Sequence, residues 1–191
     1  MTFVSGWAGF REIFHKLPLQ GRFFMPFVDF FPSQTPDVIS AEKELLIGWS
    51  LGAHLVLKHA CSVNAKKVLL FAPFLYFCDH VNKKLLDRMI LAFEKDKSKV
   101  VSDFLHNIGA RAYNKNIPDS LKSGLEFLKV SKIENFAKKD NYYCVCAKKD
   151  FLNLASACNK ICKKPIIVNS NHYFSEDTIN DIIKKLHKAL V

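Results

Sequence analysis

A chain of 191 residues, 49% hydrophobic and 24% charged, suits one domain with a substantial core and is too short for two ordinary ones. No apolar run approaches bilayer-spanning length, and Met1 to Gly6 lacks the basic segment and apolar core of an export signal, so a cytoplasmic location is expected. The formal net charge of +10 is supplied mainly by lysine, which recurs as doublets scattered along the chain, such as Lys66-Lys67 and Lys184-Lys185. Such dispersal fits no nucleic-acid-binding stripe, so neither a nucleic-acid nor a membrane partner is expected.

In chain order, Thr2-Phe3-Val4 reads as a short strand ending in the loop Ser5-Gly6-Trp7-Ala8-Gly9. Helical spacing follows from Phe10 to Leu17, with Pro18 as its stop. Phe27 to Phe31 reads as a second strand, and Pro32 to Glu42, with prolines at 32 and 36, mostly as loop. The apolar run Leu45-Leu46-Ile47 reads as a buried strand and Ala53 to Ala60 as a helix. Lys67 to Phe71 is a further strand, closed by Ala72-Pro73. From about 74 to 137 amphipathic helical patterns dominate, with Gly109 ending the second helix. This segment reads as a helical lid inserted into one domain spanning 1–191. Strand and helix then alternate again: Tyr142 to Cys146, Phe151 to Cys162, Pro165 to Val168, and a closing helix from Asp177 to Leu190. Strands separated by helices imply an α/β fold with a mostly parallel sheet of about six strands.

Six cysteines in a reducing compartment are expected to be thiols. Cys144-x-Cys146 and Cys158-x-x-x-Cys162 match no zinc spacing, and Cys144 and Cys146 share one face of a strand. Buried thiols are therefore the reading, with no metal and no cofactor expected.

The chemistry concentrates at Gly48-Trp49-Ser50-Leu51-Gly52, a G-x-S-x-G pattern between a strand and a helix. That setting is what a nucleophile elbow needs: a sharp turn that leaves Ser50 Oγ projecting above the sheet, over a helix N-terminus that favours negative charge. Sites in open parallel sheets gather at the carboxyl ends of strands. Asp150 follows one late strand and His172 follows the next, giving the order nucleophile, acid, base. A serine hydroxyl is a poor nucleophile until a neutral imidazole takes its proton, and that imidazole needs a carboxylate to fix its tautomer. Asp150 as a simple cap of the following helix is the alternative for that residue. The rivals are poorer, since Asp140 precedes its strand and His54, His59 and His187 lie along helices. For an oxyanion hole the expected donors are the backbone N–H groups of Leu51 and Trp7. Phe74, Tyr76, Phe93 and Phe104, with Trp7, are the expected lining of an apolar substrate channel, although lid packing explains the same four residues.

These residues resemble the pimeloyl-acyl-carrier-protein methyl ester esterases of biotin synthesis. Ser5-Gly6-Trp7 is similar to that family's H-G-W-G loop, Gly48 to Gly52 to its elbow, and Gly124-Leu125-Glu126-Phe127-Leu128-Lys129 to the G-L-E-I-L-K stretch late in its lid. The chain departs from the family in lacking two first strands and in placing Ser5 where a histidine is usual, so it resembles the compact members. The resemblance implies a shortened α/β-hydrolase, a serine carboxylesterase that demethylates a carrier-bound pimeloyl ester with Ser50, Asp150 and His172. It also implies an acidic acyl-carrier protein as partner, a lid phenylalanine at Phe104, and docking through Lys99. Asp103 stands where a further basic residue is expected, with Arg111 and Lys115 as compensating cations. Two other readings stay open: a broad esterase or thioesterase on free small substrates, and a catalytically silent hydrolase fold that binds an acidic protein.

Overall fold

Residues 1–14 and 21–188 are described by the computed structural model. Apolar runs without polar alternation require cover on both faces, and the two strongest such runs pair in the middle of the sheet. They are β3 (Leu45–Trp49) and β4 (Lys67–Phe71), in parallel register with Leu45 opposite Lys67 and Trp49 opposite Phe71. β1 (Thr2–Val4) lies on the other side of β3, and β2 (Arg22–Phe24) forms one edge. β5 (Tyr142–Ala147) and β6 (Ile166–Val168) extend the sheet beyond β4. The order is β2-β1-β3-β4-β5-β6 and every pair is parallel, as the alternation of strands and helices predicts. The helices are α1 (Thr35–Ser40), α2 (Leu51–Lys58), α3 (Lys83–Lys95), α4 (Lys97–Ile108), α5 (Leu121–Val130), α6 (Ala155–Ile161) and α7 (Glu176–Lys188). No described helix is long and apolar enough to cross a membrane.

Two expectations in the N-terminal third are corrected. Phe27 to Phe31 is no strand, because its backbone closes on itself. The N–H groups of Val28 and Asp29 turn back to Met25 O, Phe27 N–H donates to Phe30 O, and Phe27 has a φ of 67°. The edge strand is Arg22–Phe24 instead, three residues whose partial exposure hides them from a search for apolar runs. The segment after Phe31 is also more ordered than a loop. A 3-10 turn at Pro32–Gln34 leads into α1, where Pro36 sits in the first turn and needs no N–H partner. Of the helix expected from Phe10, a 3-10 turn at Arg11–Ile13 is present; its remainder and Pro18 lie outside the described residues. The helix expected from Phe151 to Cys162 is shorter, and forms as α6.

The three helices between β4 and β5 are separated by explicit stops. Asn82 caps α3 through Lys84 N–H, and Asp96 both ends α3 and caps α4 through Lys99 N–H. Gly109 closes α4 with a φ of 77°, a left-handed conformation that glycine adopts without penalty.

The reading of four of the cysteines as thiols is overturned. Cys144 is bonded to Cys162 and Cys146 to Cys158, with Cα separations of 5.9 and 6.6 Å. The pairing follows from two matched repeats. Residues two apart on a strand share a face, residues four apart on a helix share another, and both spacings are about 6 Å. A helix running back along the strand it follows therefore brings Cys162, the residue just past α6, to Cys144, and Cys158 within α6 to Cys146. Among the described residues Cys61 and Cys78 remain free.

Candidate active site

The sheet order reverses at β1. The chain steps outward from β1 to β2, then returns to place β3 on the opposite side. Loops leaving β1 and β3 therefore diverge and open a crevice at their carboxyl ends. Into it come the Ser5 to Gly9 loop and the turn at Ser50.

Ser50 adopts φ 53° and ψ −114° between β3 and α2. A non-glycine residue at positive φ stores strain that the surroundings must hold. Two glycines make that possible by close packing: a Cβ at Gly48 would lie 2.7 Å from Ala53 Cα, and one at Gly52 would lie 2.1 Å from Val4 O and 2.5 Å from Ser5 O. α2 can approach the end of β1 this closely only because position 52 has no side chain.

Ser50, His172 and Asp150 come together from three strand ends. His172 Nε2 is 3.0 Å from Ser50 Oγ, and His172 Nδ1 is 2.9 Å from Asp150 Oδ2. A carboxylate oxygen can only accept, so Nδ1 carries the proton and Nε2 is left to accept from the serine hydroxyl. The second oxygen of Asp150 accepts from Leu152 N–H at 2.9 Å. Asp150 is therefore not the helix cap, since α6 begins only at Ala155; one of its oxygens closes a turn at Leu152 and the other holds the imidazole. Burial is deep throughout: the Asp150 and His172 side chains are each 1% exposed, and Ser50 is 7% exposed. The Trp49 indole N–H donates to His172 O at 3.0 Å, tying the histidine to the elbow from its backbone side.

The N–H of Leu51 begins α2, where no intrahelical acceptor exists, and Ser50 provides no side-chain cap. Trp7 lies in the β1 loop, whose Gly6 packs against Ser50 and Trp49. Among the described residues no backbone acceptor engages the Trp7 N–H. Its indole N–H is held by Leu121 O at 2.8 Å, and its ring meets Phe104 edge-on.

A cavity of about 310 Å³ leads from Ser50 between α3, α4 and α5. Trp7 and Phe104 line it, but Phe74, Tyr76 and Phe93 do not. Phe74 is fully buried and stacked on His54. The Tyr76 hydroxyl donates to Lys129 O, and Phe93 faces a separate cavity beside Lys97 and Lys122. The walls of this cavity are mainly aliphatic, with Leu86 and Met89 from α3, Val100 from α4, and Leu125 and Leu128 from α5. Their three-residue spacing within α3 and α5 is the signal that could have marked them. Of the implied docking cations, Lys99 is paired with Asp103 and Lys115 with Glu12, while Arg111 is exposed.

No family model matches the chain, and no curated protein matches it. Solved structures do. A hydrolase from Pseudomonas aeruginosa PA01 superposes with a TM-score of 0.66 at 12% identity, over 99% of this chain and 87% of the other. The type II thioesterase BorB from the borrelidin biosynthetic cluster gives 0.59 at 11%, over 100% and 91%. YbtT, a type II thioesterase from the yersiniabactin pathway, gives 0.58 at 11%, over 98% and 90%. The fold is that of an α/β-hydrolase.

In this fold the histidine on the elbow helix, His54, is placed differently from His172. It is fully buried, with Nδ1 3.2 Å from Phe74 O and Nε2 2.8 Å from Ser131 Oγ. A carbonyl only accepts, so Nδ1–H donates to Phe74 and Nε2 accepts from Ser131. The ring therefore joins α2 to both ends of the three-helix segment. Burial holds its pKa down to about 4, opposed by the Phe74 carbonyl and assisted by Lys58 and His59. A histidine neutral when folded but ordinary when unfolded costs stability as pH falls from about 6.5 to about 4. The slope approaches 1.4 kcal/mol per pH unit and the total is roughly 3 kcal/mol. Urea denaturation at pH 7 and pH 5 is expected to show His54→Gln losing less stability across that interval than the native chain. Equal losses in both would remove His54 as the source.

Proposed function

We propose that this chain is a serine carboxylic ester hydrolase working through an acyl-enzyme on Ser50, and that its substrate is the methyl ester of a pimeloyl group held on acyl-carrier protein. The unbroken hydrogen-bonded series from Asp150 through His172 to Ser50, opening onto an apolar cavity, carries the reading. Ser50 Oγ attacks the ester carbonyl while His172 Nε2 takes its proton. The tetrahedral intermediate then expels the alkoxide, which leaves with that proton as methanol. Water adds to the acyl-enzyme with His172 again as base, and the proton returns to Ser50 as the free acid departs. Asp150 keeps the imidazole in its productive tautomer and stabilises the imidazolium, while the N–H groups of Trp7 and Leu51 receive the oxyanion. No cofactor enters these steps, because hydrolysis exchanges only bonds and a proton. The helices between 74 and 137 act as a lid over the acyl chain within a single domain.

An acidic carrier fits a net charge of +10, which raises encounter rates in a salt-dependent way. Since Lys99 and Lys115 already have carboxylate partners, attraction comes from the field of the whole surface more than from those two side chains. Thioester hydrolysis is the second reading, favoured by the type II thioesterases among the structural neighbours. One substrate separates the two, because pimeloyl methyl ester on a carrier has an oxygen ester at one end and a thioester at the other. Methanol release, with kcat/KM falling as salt rises, is the expected result. Release of free carrier thiol instead would replace esterase by thioesterase, and release of neither would reject both.

A further inference from the structure

The loop that carries His172 is fastened to the helical lid as well as to the sheet. The last four carbonyls of a helix lack intrahelical partners, and those of α4 are all accounted for. Ala110 N–H takes Leu105 O and Gly109 N–H takes His106 O, which is the helix's own closing turn. The other two go to the catalytic loop: Asn171 Nδ2 donates to Asn107 O at 3.1 Å, and Tyr173 N–H donates to Ile108 O at 3.1 Å. Asn171 also faces the other way, its Oδ1 accepting from His172 N–H at 2.8 Å. One amide thus spans lid and base, and its orientation is fixed because a flip would set donor against donor and acceptor against acceptor. The same helix lines the acyl cavity through Val100, Asp103, Phe104 and Asn107.

We propose that Asn171 is a positioning residue that couples filling of the acyl cavity, through α4, to the placement of His172. An acyl chain packed against Val100 and Phe104 steadies α4, and the Asn107 to Asn171 to His172 path carries that order to the imidazole. An acyl group too short to reach α4 leaves the histidine held by Asp150 and Trp49 alone. Chain length then raises kcat as well as lowering KM, since small displacements of a base from its productive geometry cost rate steeply. The inference rests on the esterase reading but is separable from it.

The test compares p-nitrophenyl acetate with p-nitrophenyl hexanoate, in the native chain and in Asn171→Ala. For the native chain kcat is expected to be higher with hexanoate. In Asn171→Ala the hexanoate kcat is expected to drop roughly tenfold with little change in KM, while the acetate kcat barely moves. Asn171→Asp retains the Oδ1 acceptor for His172 N–H but has no donor for Asn107 O, and is expected to lose the chain-length effect in the same way, which keeps the test decisive should the alanine variant fold poorly. Equal losses with both esters in the two variants would make Asn171 a general structural support and overturn the coupling, as would a change in KM alone or no change. A native chain with equal kcat for both esters would also overturn it while leaving the esterase reading intact. A native chain inert to both would overturn the two together.

Discussion

Ser50→Ala is expected to lower kcat for any accepted ester by ~10⁴-fold or more, with the melting temperature unchanged. The size of the loss follows from the loss of the only covalent partner in the proposed mechanism; what survives is binding and whatever the two N–H donors contribute. Folding should be spared because, among the described residues, Ser50 Oγ bonds to His172 and to no structural group. Alanine also has the same Cβ as serine, so the positive φ at this position is no more strained than before. Steady-state hydrolysis and a thermal melt on the same preparation check the claim. Activity within tenfold of the native chain would remove Ser50 as nucleophile. Failure of native Ser50 to react with a fluorophosphonate would favour the catalytically silent alternative.

Asp150→Asn is expected to cost about 10⁴-fold in kcat, for a reason distinct from loss of charge alone. Asparagine can still accept from Leu152 N–H through its oxygen, so the turn after β5 survives. Its amide nitrogen then faces His172 Nδ1 at the position now held by an acceptor oxygen. The ring is forced into the tautomer with a proton on Nε2, and that nitrogen can no longer receive the Ser50 proton. The expected signature is slow fluorophosphonate labelling of a fully folded protein. Labelling at the native rate would mean that Asp150 serves only the turn at Leu152.

The parts of this molecule that could be read from the sequence are those fixed by local burial. β3, β4 and β5 are short apolar runs enclosed on both faces; the ends of β3 and β5 lead to Ser50 and Asp150, and the end of the short edge strand β6 leads to His172. β2 escaped because an edge strand of three half-exposed residues carries less apolar signal than the aromatic turn from Phe27 to Phe31 beside it. The cavity walls escaped for a related reason. Aromatic residues were favoured as lining, whereas Phe74 is occupied with His54 and the lining falls to Leu86, Met89, Leu125 and Leu128. The disulfides depend on a match between strand and helix repeats across 12 and 18 residues, which a compartment argument overrode. Asn171 gave no signal because its significance lies in two hydrogen bonds made in opposite directions.

The bare glycine at position 52 has an electrostatic consequence. With the start of α2 pressed onto the carbonyls of Val4 and Ser5, no layer of solvent fits between the helix and the loop that leaves β1. The amide dipoles of both are therefore frozen before any charge develops on a substrate oxygen. A developing anion at that wall would meet dipoles already aligned and would not have to turn water molecules toward itself, so the reorganisation energy that hydrolysis in bulk solvent incurs at each turnover is met once, when the chain folds.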